Sequence, residues 1–115
     1  MRRIAILNCQ EANDVCTGEA CLAAFRQRTG AFARWAGEEA ELTAFLRCNG
    51  CAKPPESDPG LREKLDRLQA LGVDTLHLGV CTVQNGSECP RITRIAHMAE
   101  ERGMQVVRGT HSTAR

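Results

Sequence analysis

The sequence predicts a small α/β domain, in which an open parallel sheet of about four strands carries helices on both faces. Four short apolar segments alternate with three helical patterns along the 115 residues, and such alternation is typical of α/β folds. The segments between successive strands are long enough for helical crossovers, which connect parallel strands. With right-handed crossovers, we expect a flavodoxin-like sheet of strand order 2-1-3-4 among several alternatives. A chain of this length builds one core, so residues 1–115 should form a single domain.

The four predicted strands differ in polarity. Residues 4–7 form a continuous apolar run, as expected for a strand that is buried on both faces. Residues 42–46 include a threonine and follow a glutamate, which places this second strand nearer an edge of the sheet. The third strand is predicted over residues 75–80 and the fourth, which is short, over residues 104–107.

Three amphipathic helices are predicted between these strands. Residues 19–28 are mostly apolar, and the following Gly30 suits the left-handed backbone that often ends a helix. Leucines recur at helical spacing over residues 61–71. A third apolar stripe covers residues 92–99 and begins after Pro90, which is well placed in a first helical turn.

Composition excludes several classes of function. Fifteen Lys and Arg against fourteen Asp and Glu give a net charge of +1, so no basic surface for nucleic acid or acidic membranes is expected. No apolar run approaches the ~20 residues of a membrane span. The run after Met1 is also shorter than the roughly 7 to 15 residues of a secretory signal. We therefore expect a cytoplasmic protein that binds neither nucleic acid nor membrane.

Cysteine is the unusual component, with seven residues in the chain. In a reducing cytoplasm, many cysteines indicate metal or redox chemistry more often than structural disulfides. The odd number also argues against complete pairing. A metal site or a redox site is thus the main functional expectation.

The predicted sheet brings the cysteines to one edge, because parallel strands end on the same side and the helices that follow them begin there. Cysteines follow strands one, two and three or flank the starts of the first and third helices, and one histidine follows strand four. His77 lies within strand three between apolar neighbours, which favours a hydrogen-bonded core histidine and leaves a role beside a metal ligand open. The candidate metal ligands are Cys9, Cys16, Cys21, Cys48, Cys51, Cys81, Cys89, His77 and His111.

Thiolates with an imidazole select zinc, Cu(I) or an iron–sulfur cluster rather than magnesium or calcium. The pair Cys48 and Cys51, two residues apart, can place two sulfurs on one ion. Seven thiols exceed the four ligands of one tetrahedral zinc, so some are unused, two sites exist, or an iron–sulfur cluster is bound. The same pair is also typical of a thiol–disulfide enzyme or a redox sensor that works with a redox partner protein. Each remaining cysteine also fits as a small buried apolar residue.

The order of these motifs resembles the CGGC domain family, small prokaryotic proteins described as candidate metal-binding proteins because of their cysteines and histidines. One departure is Asn49, which stands where the family has the first glycine of its naming motif. Asparagine tolerates a left-handed backbone best after glycine, so we expect the turn to survive. The resemblance implies zinc as the cofactor, with the nine candidate ligands in one site. The matching segments are residues 4–9, 16–21, 30–32, 48–51, 73–81, 89–90 and 109–111.

Overall fold

The computed structural model describes residues 1–10 and 16–112. Short 3-10 helices at Gly30–Trp35, Pro55–Ser57 and Val80–Thr82 separate some of the main elements. Of the helices in the described ranges, none combines the length and the apolar character that a membrane span requires. The main elements in chain order are β1 (Arg2–Asn8), α1 (Glu19–Gln27), β2 (Ala40–Arg47), α2 (Pro59–Ala70), β3 (Thr75–Leu78), β4 (Val83–Gln84), β5 (Ser87–Glu88), α3 (Pro90–Glu101) and β6 (Gln105–Arg108).

The main sheet has the order β2-β1-β3-β6 with all neighbours parallel. This confirms the α/β class and the flavodoxin-like arrangement, since β6 is the predicted fourth strand. Strand β2 lies at an edge, as its polar residues predicted. In register, Leu7 of the central strand β1 stands opposite Leu46 of β2 and Leu78 of β3.

Helices cover both faces of the sheet, as predicted. Ala5 and Leu7 belong to the core cluster that α2 and α3 build on one face. Ile4 and Ile6 belong to the other cluster, with α1 and the 3-10 helix Gly30–Trp35. Because side chains alternate along a strand, a strand buried on both sides must be apolar at every position.

The expectation that Gly30 ends the first helix was wrong. Helix α1 ends at Gln27, and Arg28 takes the left-handed conformation with φ 56°. Its guanidinium donates to the carbonyl of Phe25 at 2.6 Å, which fixes this arginine at the helix end. Gly30 instead allows its own backbone to lie close to the backbone of Thr110, because a Cβ at Gly30 would lie 2.3 Å from the carbonyl oxygen of Thr110.

The third strand is shorter than predicted and leads into a hairpin that the sequence analysis missed. Strand β3 ends at Leu78, and the antiparallel pair β4 and β5 follows the 3-10 helix Val80–Thr82. The turn consists of Asn85 with φ 52° and Gly86 with φ 78°. Asn-Gly is the dipeptide that two-residue hairpin turns prefer, so the signal was present.

Candidate functional site

The carboxyl edge of the sheet, where β1, β2, β3 and β6 end, brings two cysteine sulfurs against the exit of β1. The backbone N–H of Cys9 donates to Sγ of Cys81 at 3.4 Å. The N–H of the next residue, Gln10, donates to Sγ of Cys48 at 3.3 Å. Because β1 lies between β2 and β3, the sulfurs that follow these two strands contact successive residues at the end of β1: Cys81 contacts Cys9, and Cys48 contacts Gln10.

Asn8 and Gly79 fit together at this edge. Asn8 is 2% exposed, and a Cβ on Gly79 would lie 1.8 Å from its Oδ1 and 3.3 Å from Sγ of Cys81. Among the described residues, this Oδ1 has no hydrogen-bond partner. Residue 79 must therefore lack a side chain for Asn8 and Cys81 to occupy their places. Asn8 was not among the candidate site residues, although a polar residue directly after the apolar run of a buried strand is a signal for a site.

Cys21 lies in the first turn of α1 and is 4% exposed. Its thiol donates to Oγ1 of Thr110 at 3.2 Å. Burial raises the pKa of the Cys21 thiol, and the nearby sulfur of Cys81 adds to this rise. The hydrogen bond with Thr110 lowers the pKa but does not outweigh burial. This thiol therefore stays protonated at neutral pH.

A second group of cysteines lines one cavity of about 320 Å³, which we call the cysteine cavity. Its three thiols come from the exit of β1, from the loop after β2 and from the residue that precedes α3. Cys51 is exposed, whereas Cys9 and Cys89 are half-buried. The complete lining is Cys9, Cys51, Thr82, Gln84, Ser87, Glu88, Cys89 and Pro90.

The loop that carries Cys48 and Cys51 is held by both helices on its face of the sheet. Nζ of Lys64 in α2 donates to Oδ1 of Asn49 at 2.6 Å, and Nε of Arg91 in α3 donates to the carbonyl of Gly50 at 3.1 Å. Gly50 has φ 83°, whereas Asn49 is not among the residues with positive φ. The left-handed residue of this turn is Gly50, so Asn49 does not use its tolerance of that conformation, and its side chain adds contacts instead.

His77 is fully buried in β3, on the face opposite α2 and α3. Its Nε2 lies 3.0 Å from the indole nitrogen of Trp35, and its Nδ1 lies 2.9 Å from the carbonyl oxygen of Gly109. Both nitrogens are engaged within the protein, so in this conformation His77 offers no lone pair to a metal. This geometry favours the hydrogen-bonded core role of His77 over the role of a metal ligand.

His111 and Cys16 do not line the cysteine cavity. His111 is half-buried beside the start of the 3-10 helix Gly30–Trp35, and its Nδ1 lies 3.0 Å from the carbonyl of Ser112. Cys16 is exposed, and its Sγ accepts the N–H of Gly18 at 3.3 Å. The predicted site is thus spread along the edge rather than collected at one point.

The donor chemistry of the cysteine cavity fits a soft metal, but the ligands are not assembled. All seven cysteines lie in the described ranges. Within the part of the chain that the structure describes, no group of three or more His, Cys, Asp or Glu is close enough to hold an ion. Coordination would therefore require the thiols of Cys9, Cys51 and Cys89 to turn toward one another.

Glu88 stands between the cysteine cavity and a second cavity of about 390 Å³, which it lines with Thr82 and Arg108. Nε of Arg108 donates to Oε1 of Glu88 at 2.8 Å, and the hydroxyl of Thr93 donates to Oε2. Burial opposes ionisation, but the hydrogen bonds from Thr93 and Arg108 hold the pKa of Glu88 below its usual value. Glu88 is therefore ionised at neutral pH.

These features define a small parallel α/β domain with a cysteine-rich carboxyl edge. The family model of the CGGC domain matches residues 3–111, and the chain belongs to that family. It is a cysteine-rich family described as candidate metal-binding proteins. Comparison with curated proteins gave no match, and neither did comparison with solved structures.

Proposed function

We propose that this domain binds zinc through the thiolates of Cys9, Cys51 and Cys89. The observation that carries the proposal is that these three residues line one cavity of about 320 Å³. Thiolates are the protein ligands that zinc prefers, and tetrahedral zinc sites commonly use three or four of them. Membership of a cysteine-rich family described as candidate metal-binding proteins supports the same conclusion.

The surroundings of each thiol also support a thiolate metal site. Cys89 directly precedes Pro90, the first residue of the 12-residue helix α3, and the amino end of a helix stabilises negative charge. Cys51 follows Gly50, whose carbonyl is anchored by Arg91. Cys9 follows directly from the central strand β1. Two of the three ligands are thus tied to regular elements, and the third lies in an anchored loop.

Three protein ligands leave one of the four positions of a tetrahedral ion open. A bound zinc would supply Lewis acidity at that position. Glu88 lines the same cavity, but its carboxylate is engaged by Thr93 and Arg108. An iron–sulfur cluster is the alternative centre, and it would require a fourth thiolate beyond the three that line the cavity.

The test is elemental analysis with an absorbance spectrum on protein purified without oxygen or chelator. We expect near-stoichiometric zinc and no visible colour, and cobalt substitution should give the intense visible bands of a tetrahedral thiolate site. Cys51→Ser and Cys89→Ser should each lower bound metal by at least tenfold. Cys16→Ser is the matched control, because Cys16 lies outside the cavity and should leave the metal content unchanged.

Two outcomes would change this conclusion. Equal metal content in the wild type and in both cavity variants would contradict ligation by these thiols. Iron together with a brown absorbance would show that the bound centre is an iron–sulfur cluster and not zinc.

A second candidate function is thiol–disulfide exchange, which the unequal exposure of Cys48 and Cys51 supports. Cys51 is exposed and Cys48 is 8% exposed. The Cys51 thiolate would attack a disulfide of a redox partner protein, forming a mixed disulfide and releasing one partner thiolate. Cys48 would then displace the second thiolate, so the pair is oxidised as the partner disulfide is reduced.

The two functions are distinguished by a trapping experiment on metal-free protein. Under exchange, Cys48→Ser should accumulate a mixed disulfide at Cys51 with a model disulfide, whereas wild type should resolve it. Equal accumulation in wild type and variant would exclude Cys48 as the resolving thiol.

A further inference from the structure

We propose that Cys9 and Cys81 form a reversible disulfide under oxidation, and that this bond removes Cys9 from the metal site. The inference rests on the proposed zinc function for its consequence, but the formation of the bond is tested separately. Neither Cys9 nor Cys81 belongs to the motif that contains Cys48 and Cys51, so sequence spacing gives no reason to pair Cys9 with Cys81.

Contact between the two residues is already present. Sγ of Cys81 lies 3.4 Å from the backbone nitrogen of Cys9. The N–H of Gly79 donates to the carbonyl of Leu7 at 2.8 Å, which keeps the exits of β1 and β3 together. Because Sγ of Cys81 already contacts the backbone of Cys9, the proposed bond needs a rotation of the Cys9 side chain toward that sulfur.

The other thiols near this pair are poorer partners. Cys21 interacts electrostatically with Cys81, but it is buried with a raised pKa and donates to Thr110. A protonated thiol is a poor nucleophile. The sulfur of Cys48 contacts the N–H of Gln10, on the β2 side of β1. Cys9 and Cys81 are both half-buried, so a small oxidant can reach them.

The oxidant that we propose for this reaction is a hydroperoxide. One thiolate attacks the O–O bond, forming a sulfenic acid and releasing an alcohol, or water in the case of hydrogen peroxide. The second thiolate attacks that sulfur, the S–S bond forms, and hydroxide leaves and takes up a proton. Two thiols and one hydroperoxide thus yield one disulfide, one alcohol and one water.

The consequence is loss of a ligand from the cysteine cavity. A sulfur in a disulfide is no longer a thiolate, so only Cys51 and Cys89 of the three proposed ligands would remain. Two thiolates hold zinc far less well than three, and oxidation would release the ion. A dithiol reductant would restore Cys9 and permit rebinding.

The experiment treats the zinc-loaded full chain with one equivalent of hydrogen peroxide. Released zinc is followed with a chromophoric chelator, and the disulfide is mapped by mass spectrometry of peptides. We expect a linkage between Cys9 and Cys81 that forms together with zinc release. Cys81→Ser should bind zinc as the wild type does and release it at least tenfold more slowly, while Cys16→Ser should behave as the wild type.

The outcomes separate the two proposals. Absence of bound zinc contradicts the proposed function, yet mapping on the metal-free wild type still tests the disulfide without any variant. Linkages at other pairs, with none between Cys9 and Cys81, would overturn the inference. Equal rates of zinc release from Cys81→Ser and from the wild type would overturn the role of the disulfide in metal release.

Discussion

The indole N–H of Trp35 donates a hydrogen bond to Nε2 of His77, 3.0 Å away. Because indole nitrogen can only donate, Nε2 must carry the lone pair, and the proton lies on Nδ1 and is donated to the carbonyl of Gly109 at 2.9 Å. The ring of Phe32 stacks on the imidazole with centroids 4.2 Å apart. These contacts fix one neutral tautomer of His77. They also connect the 3-10 helix Gly30–Trp35 to β3 and to Gly109, the residue that follows β6.

Stability should fall as the pH drops from 6.5 toward 4. Burial lowers the pKa of His77 from 6.5 to about 4, so in this window the unfolded chain binds a proton that the folded chain does not. The total loss approaches about 3 kcal/mol. Urea unfolding between pH 7.5 and 4.5 measures it, and nitrogen NMR at pH 7.5 should show the Nδ1-protonated tautomer.

The control is His97→Gln, since His97 is exposed on α3. This variant should keep the pH dependence of the wild type, whereas His77→Gln should flatten it. Identical slopes for both variants would mean that another group causes the acid sensitivity.

Gly79→Ala should destabilise the fold by about 2–3 kcal/mol, because the added Cβ overlaps Oδ1 of Asn8 in a packed region. Asn8→Ala in the same chain should recover part of this loss by removing the overlapping atom. Chemical denaturation of the two single variants and the double variant measures the coupling. Gly60→Ala is the control: its Cβ would meet only the flexible side-chain ends of Asn49 and Asp58, so stability should be little changed. Additive losses in the double variant would contradict the proposed overlap.

Asn49→Gly restores the family motif and should lower the free energy of unfolding by about 1 kcal/mol. The variant loses the bond from Lys64 at 2.6 Å and the bond to Asp58 at 3.4 Å, and it gains backbone freedom in the unfolded chain. Zinc content should not change, because both cysteines and the left-handed Gly50 remain. A more stable Asn49→Gly protein would show that these side-chain bonds contribute nothing.

Zinc should stabilise the domain if the cysteine cavity binds it. At a free concentration one hundred times the dissociation constant, the gain is about 2.7 kcal/mol. A chelator should reverse the shift in melting temperature and raise the number of thiols that react with a disulfide reagent by three. Cys89→Ser should abolish the shift and Cys16→Ser should retain it. A shift of equal size in Cys89→Ser would place the ion elsewhere.

The sequence patterns predicted the sheet more completely than the site. Alternation and crossover length predicted the parallel sheet, with the observed strand order expected among several alternatives, and the edge position of β2 followed from its polar residues. The helix end at Arg28 could not be predicted, because it depends on a guanidinium that reaches back to the carbonyl of Phe25. The hairpin at Asn85 and Gly86 carried its turn signal, but its two-residue strands lack an apolar run.

By itself, the sequence determined that the cysteines gather at the carboxyl edge, since any parallel sheet with these strands places its strand ends and helix starts there. Only the tertiary structure decided which thiols become neighbours. That choice depends on contacts between residues far apart in the chain: Asn8 against Gly79, Arg91 on the carbonyl of Gly50, and Trp35 on His77. Patterns of local hydrophobicity do not encode such side-chain contacts, so the grouping of Cys9 with Cys51, Cys81 and Cys89 emerges only from the folded chain.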